Sequence, residues 1–202
     1  MSEHDLRPAG ADDRNRQKRG DRRRQQILDA AVDLFAANGY RGTGVAALAE
    51  RVGMTATGLL YYFGTKERLL LEVVAERSRV DPMPATLDLR LADLRGLGAH
   101  NTEQGVMTRL YVVLAVESLD GDAPLHEYFA DRYELTRSLF ARLVMDEQER
   151  GAVRADVDPD QIAREILGMV LGVELQWLLD PEGLDYSTTF EAYIDRLVED
   201  LA

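Results

Sequence analysis

Seven basic side chains fall within one short stretch near the N-terminus: Arg14, Arg16, Lys18, Arg19, Arg22, Arg23 and Arg24, with Asp21 the one acid among them. A run of that density suits a polyanion. The contrast with the remainder strengthens the point. Residues 1–79 carry a net charge of +3 and residues 80–202 a net charge of −15, which together make the −12 of the whole chain. The other chemistry-bearing residues are arranged for no reaction. His126-Glu127 opens like a zinc-protease motif, but Ala130 stands where the second histidine belongs. Asp120-x-Asp122 and Asp156-x-Asp158-x-Asp160 resemble calcium-loop openings, yet Leu125 and Gln161 occupy the obligatory glycine position. Gly39-x-x-Gly42-x-Gly44 lacks dinucleotide-loop spacing and follows a helical pattern where a strand is required. With no cysteine, disulfides and thiol chemistry are excluded. No enzyme, no metal and no cofactor is expected.

The elements that must position the basic run are helices throughout. Residues 1–20 have no apolar period and are expected to form a flexible basic arm. Ile27, Ala30, Ala31, Leu34 and Phe35 then make one apolar stripe, which Gly39 ends. Thr43 is expected to cap a short helix over 44–52, carrying Val45, Leu48 and Val52 inward, and Gly53 stops it. Thr55 caps a third helix over 56–62 that buries Leu59 and Phe63 and turns Ala56, Thr57, Leu60 and Tyr61 outward. Gly64 and Thr65 lead into a fourth helix reaching about residue 80. Asp81-Pro82-Met83-Pro84 is a break, since two prolines do not continue a helix. Five further helices are expected at about 86–97, 103–119, 124–150, 159–179 and 187–201, the fourth opened by Asp158, Pro159 and Gln161 as a capping box. His100 falls between helices, in a glycine-containing loop. Apolar stretches such as Ile166–Val173 are far shorter than the roughly 18 residues of a membrane span. The expectation is a cytoplasmic, nucleoid-associated protein with no membrane partner.

Two short amphipathic helices joined by a glycine-led turn are the signature of a helix–turn–helix, whose second helix enters the DNA major groove. The residues also match a known pattern. Arg24, Ile27, Leu28, Ala30, Ala31, Leu34, Phe35, Gly39, Tyr40 and Thr43 resemble the TetR (tetracycline-repressor) family of bacterial regulators in order and spacing. So do Leu48, Ala49, Gly53, Met54 and Thr55, and Leu59, Tyr61, Tyr62, Phe63, Gly64, Lys66, Glu67, Leu69 and Leu70. The resemblance implies that Thr43, Tyr61, Tyr62 and Lys66 contact phosphates, while Ala56, Thr57 and Gly58 lie at base edges. Arg22, Arg23, Arg41, Thr55 and Leu60 complete the DNA-facing set. Two departures stand out: Leu60 replaces a usual phosphate-binding tyrosine, and Ala46 replaces a frequent base-reading arginine. With no Arg, Lys, Asn or Gln on the recognition helix, bidentate base readers are missing. The basic arm is therefore expected in or near the minor groove, adding affinity and reading groove shape.

The acidic remainder needs a different task. Residues 161–179 place apolar side chains on every side of a helix, a pattern of burial on all faces. Ile166, Val170, Val173 and Leu178, with Phe190, Ile194 and Leu197 of the last helix, are expected to form a four-helix homodimer interface. A symmetric dimer demands a palindromic operator in double-stranded DNA. The run from Leu175 to Glu182 also looks like the dimer helix of many TetR-family members. The resemblance further implies a small-molecule effector site, for which Met107, Tyr111, Leu114, Glu117, Phe129, Tyr133, Phe140 and Trp177 are the candidate lining. Glu117 is open to two roles, reading a cation or hydroxyl or pairing with an arginine, and Trp177 to two places, cavity or dimer seam. The resulting expectation is all-α: a flexible basic arm (1–20), an N-terminal three-helix helix–turn–helix DNA-binding domain (21–80), and a larger C-terminal helical ligand-binding and dimerisation domain (81–202). In function it is a homodimeric repressor released by a hydrophobic effector. The alternative is a DNA-binding dimer without an effector, organising DNA or controlled by a protein.

Overall fold

The computed structural model describes residues 9–80 and 89–202; the Asp81–Pro84 break and the expected helix start at 86 lie outside them. Among the described residues there is no strand. The N-terminal elements are α1 (Ala9–Gly42), α2 (Val45–Arg51), α3 (Ala56–Phe63) and α4 (Lys66–Val80). A 3-10 helix (Leu91–Gly96) leads into α5 (Leu97–Glu103), α6 (Gly105–Glu117), α7 (His126–Glu149), α8 (Pro159–Leu179) and α9 (Tyr186–Leu201).

Local sequence explains most boundaries. Thr55 caps α3 by accepting the Gly58 N–H at 3.1 Å, and Thr65 does the same for α4 through the Arg68 N–H. Asp158 accepts from the Asp160 N–H and Pro159 opens α8, as expected. The capping box does not form, because the Gln161 amide reaches forward to Glu165.

Three expectations need correction. Residues 9–20, read as part of a flexible arm, continue α1. Arg, Lys, Gln and Ala propagate a helix readily once the buried stripe after Ile27 has nucleated it. Gly44, and not Thr43, caps α2. Residues 97–103, read as a loop around His100, form α5. Gly98 is in close contact with α9 there: a Cβ would stand 2.9 Å from the Ser187 Cα. That packing overrides glycine's low helix propensity.

Two apolar clusters fill the interior. The first joins Ile27, Phe35, Leu48, Leu59, Phe63 and Leu70 of the head to Leu110 and Leu114 of α6 and Phe129 of α7. The second joins Leu91 and Leu94 to Phe140, Val144, Ile166, Val173, Phe190 and Ile194. The packing boundary is thus displaced from residue 80. Helix α6 shares its core with the head.

Candidate functional site: a DNA-facing head and a cavity behind it

On α3, Leu59 and Phe63 are buried while Ala56, Thr57 and Tyr61 are exposed, Tyr61 by 88%. Leu60 and Tyr62 are half-buried against the head's core. Tyr61 and Tyr62 meet edge to face at 5.9 Å. Arg22 and Arg41 are exposed, as are Lys18 and Arg19. Thr55 is exposed and Gly58 half-buried, and the bond between them takes up a helix N-terminal N–H otherwise open to phosphate.

Several residues expected on DNA make bonds that brace the head. Thr43 is 1% exposed, and its hydroxyl donates to the carbonyls of Gly39 (2.7 Å) and Leu34 (3.1 Å). The Arg23 guanidinium donates to the Val52 carbonyl at 2.6 Å and to Gly53, closing the C-terminal end of α2, where a cation is favoured. Arg24 pairs with Glu72 and lies over the Phe63 ring. Lys66 donates to the carbonyls of Tyr40 (2.7 Å) and Thr43 (2.9 Å), with its ammonium 4.0 Å from the Tyr40 ring centroid. Burial lowers the Lys66 pKa, and the Glu117 carboxylate works against that shift.

Glu117 lines no cavity. It ends α6, and its carboxylate accepts the backbone N–H groups of Tyr40 (2.6 Å) and Arg41 (3.3 Å) from α1. An acid at a helix C-terminus opposes the helix dipole. Those two N–H groups and the nearby Lys66 ammonium offset that penalty. The chain at Gly39 turns with φ 73°, and a Cβ there would lie 2.5 Å from the Glu117 Oε1. A Cβ would have to push the carboxylate away from this contact, and the positive φ disfavours any residue but glycine.

Behind the head a cavity of about 200 Å³ opens between the two apolar clusters. Met107, Tyr111, Phe129, Tyr133 and Phe140 line it, as expected. Leu114 does not, because it is 1% exposed inside the head's cluster. Trp177 does not either; it stacks near Tyr186 and covers Gly105. The sequence reading missed Asn101, Gln104, Arg132 and Glu174 in the lining. For Glu174 a signal existed, a lone acid in the apolar middle of α8. Arg132 carried none, since an arginine on an amphipathic helix is ordinary.

Most residues expected at a dimer face are used inside the chain. Ile166, Val170, Val173, Phe190, Ile194 and Leu197 are all buried within the single chain. They form the second cluster and have no surface left for a partner. Leu178 is half-buried. The exposed apolar residues of α8 are Leu175 (49%) and Leu179 (77%), and no atom approaches the built Cβ position of Gly168 or Gly172.

No helix among the described residues is long and apolar enough to cross a membrane, and none of their His, Asp or Glu side chains cluster as metal ligands. Residues 27–73 match the model of bacterial regulatory proteins of the tetR family, and residues 108–202 match the C-terminal model of BetI-type transcriptional repressors. The HTH-type transcriptional regulator RutR of Escherichia coli (strain K12) is 37% identical over 73 residues, 36% of this chain and 30% of that protein, so this chain matches under a third of that relative's length. The HTH-type transcriptional repressor KstR2 of Rhodococcus jostii (strain RHA1) is 26% identical over 191 residues, 89% of this chain and 91% of that one. A transcriptional regulator from Saccharomonospora viridis, crystallised in complex with choline, shares the fold with a TM-score of 0.67 at 22% identity, over 87% of this chain and 95% of that one. With one model on the head and a second on the C-terminal helices, the chain belongs to the TetR family, whose members are DNA-binding regulators and not enzymes.

Proposed function

We propose that this protein is a homodimeric transcriptional repressor that leaves a palindromic operator when a small molecule fills the cavity. One observation carries the reading: α6 lines the cavity with Met107 and Tyr111 and, at its other end, grips α1 through Glu117. From Tyr111 to Glu117 is six residues, about 9 Å of helix. A ligand that displaces Tyr111 therefore pulls on the Tyr40–Arg41 backbone, to which Lys66 donates at the Tyr40 carbonyl and next to which Thr43 donates at the Gly39 carbonyl. Differential affinity for two positions of α6 is all that release requires, and by linkage DNA weakens effector binding by the same factor. The repressor descriptions of KstR2 and of the C-terminal model support the direction of control. The choline bound to the Saccharomonospora protein supports a small-molecule site in this fold.

The dimer forms in this reading through the outward face of α8, where Gly168 and Gly172 allow close approach and Leu175 and Leu179 supply apolar area. Two α3 helices then sit about 34–36 Å apart, one turn of DNA. Tyr61, Thr57, Ala56 and Arg41 face the duplex, and the exposed Lys18, Arg19 and Arg22 of α1 add phosphate contacts. Fluorescence anisotropy, with the duplex flanking its own gene and a scrambled duplex across a salt series, tests this. Two chains per site with preference for the native duplex is the expected result. Equal, steeply salt-dependent binding to both indicates a DNA-organising protein instead.

A further inference from the structure

Two charged side chains of opposite sign line the cavity without pairing to each other. Glu174, from α8, is 9% exposed. Its Oε1 accepts from the Asn101 amide at 2.7 Å and lies 3.4 Å from the Tyr186 hydroxyl, both neutral donors. Its Oε2 has no hydrogen-bond partner among the described residues. Arg132, from α7, lies with its guanidinium 4.4 Å from the Tyr111 ring centroid. No described carboxylate comes within ion-pair distance of it. A buried carboxylate ordinarily finds a charged partner, since desolvation without one is expensive, while Arg132 is half-buried. Both side chains border the same cavity.

Resting on the effector reading above, we infer that the cavity takes a small zwitterion, with an ammonium end on Glu174, a carboxylate end on Arg132 and an apolar body between them. A singly charged ligand is attracted by one of the two groups and repelled by the other. A zwitterion satisfies both, and the guanidinium fork suits a carboxylate. Leu97, Leu139, Phe140, Val170 and Leu171 provide the apolar wall. The volume limits the occupant: an engineered cavity of about 150 Å³ holds benzene, so about 200 Å³ holds roughly seven to ten non-hydrogen atoms.

The titration of Glu174 agrees with this geometry. Desolvation raises its pKa to about 7, against the lowering effects of the Tyr186 hydrogen bond, the Arg132 charge and the Asn101 hydrogen bond. The groups facing it are Asn101 from α5, Arg132 and Tyr133 from α7, and Tyr186 from α9. An ammonium arriving at the carboxylate restores the ionised form, so binding near neutrality releases a proton.

Calorimetric titration of the full chain with 4-aminobutanoate, 6-aminohexanoate, hexylamine, hexanoate and 1-hexanol tests the assignment. One of the two zwitterions is expected to bind at least tenfold more tightly than the amine, the acid or the alcohol. Glu174→Gln and Arg132→Gln should each reduce it to the level of the singly charged compounds, with the fold checked by circular dichroism. Repeating the titration at pH 7 in buffers of different ionisation enthalpy should show proton release that Glu174→Gln abolishes. Hexylamine or hexanoate binding as tightly as the zwitterions overturns the two-charge assignment. Binding of 1-hexanol alone overturns it too, while leaving an apolar effector site standing. Silence from all five also overturns it, and the anisotropy assay then decides the regulator reading independently.

Discussion

Two buried glutamates face each other across the function of the C-terminal helices. Near the end of α7, Glu147 accepts two hydrogen bonds from the Arg90 guanidinium and one from the Leu91 N–H, and this holds its pKa below the usual carboxylate value. In the cavity wall, Glu174 has only neutral donors, and burial pushes its pKa up to about 7. Both are almost fully inside the protein. The difference is whether a guanidinium is hydrogen-bonded to the carboxylate, as Arg90 is to Glu147, or only acts on it from across the cavity, as Arg132 does on Glu174. Bonded in this way, Glu147 fastens the 3-10 helix to α7; left unbonded to a cation, Glu174 is the group to which the proposed ligand's ammonium is assigned.

The two sites therefore impose opposite pH dependences, and the largest expected effect lies at Glu174. Its folded pKa exceeds that of the unfolded chain, so the folded state retains a proton the unfolded chain has lost. Stability falls as pH rises from about 4.5 to about 7 and stays level above. The shift corresponds to about 3 kcal/mol. Glu174→Gln should remove that slope and raise stability at pH 8, read from urea unfolding at pH 5 and pH 8. A mutant that keeps the wild-type slope breaks the comparison.

Glu147 should behave in the reverse sense. Its lowered pKa contributes stability above the unfolded value, and that contribution is lost as pH falls through the folded value. Glu147→Gln should lower stability at pH 7 by about 2 kcal/mol, the scale of a charge-assisted hydrogen bond. The same unfolding curves at pH 4 and pH 7 should show the gap between mutant and wild type closing in acid.

Smaller effects test where the polar groups of the head belong. Glu117→Ala should weaken DNA binding and cut the effector's influence on it, with a stability loss of about 1–2 kcal/mol from the freed Tyr40 and Arg41 N–H groups. Full effector response in that variant, measured by anisotropy, removes Glu117 from the route between cavity and head. Arg23→Ala should lose about 1 kcal/mol of stability through the open end of α2. If it loses only salt-dependent DNA affinity, Arg23 is a phosphate contact after all.

The head was legible because its information is local. Apolar spacing in α1–α4 and the turn residues Thr55, Gly39 and Gly64 sit within a few residues of what they determine. The bracing roles of Thr43, Arg23 and Glu117 were not legible, since each partner is a backbone group 4 to 77 residues away, in a geometry set by tertiary packing. In the C-terminal part, the helices near 103–119, 124–150, 159–179 and 187–201 came through; the one expected over 86–97 is, within the described residues, only the 3-10 helix Leu91–Gly96, and α5 was concealed by Gly98 until α9 was packed against it. Apolarity around the whole of α8 suggested a partner chain for residues that α7, α9 and the 3-10 helix already cover. The aromatic half of the cavity could be named from its residue types. Its charged half depended on how α7 crosses α8, which no spacing encodes.

Gly39 and Glu117 make one further point, about inheritance. A side chain at position 39 collides with the carboxylate that holds the neighbouring backbone, and the positive φ penalises it again. Shortening residue 117 relieves the first penalty and leaves the second. Position 39 is thus expected to change only after residue 117 has shortened, and then still against the positive φ, whereas residue 117 can shorten alone at the cost of its two backbone contacts. A double-mutant cycle on Gly39→Ala and Glu117→Ala should show the loss at position 39 shrinking, without vanishing, once the glutamate is gone.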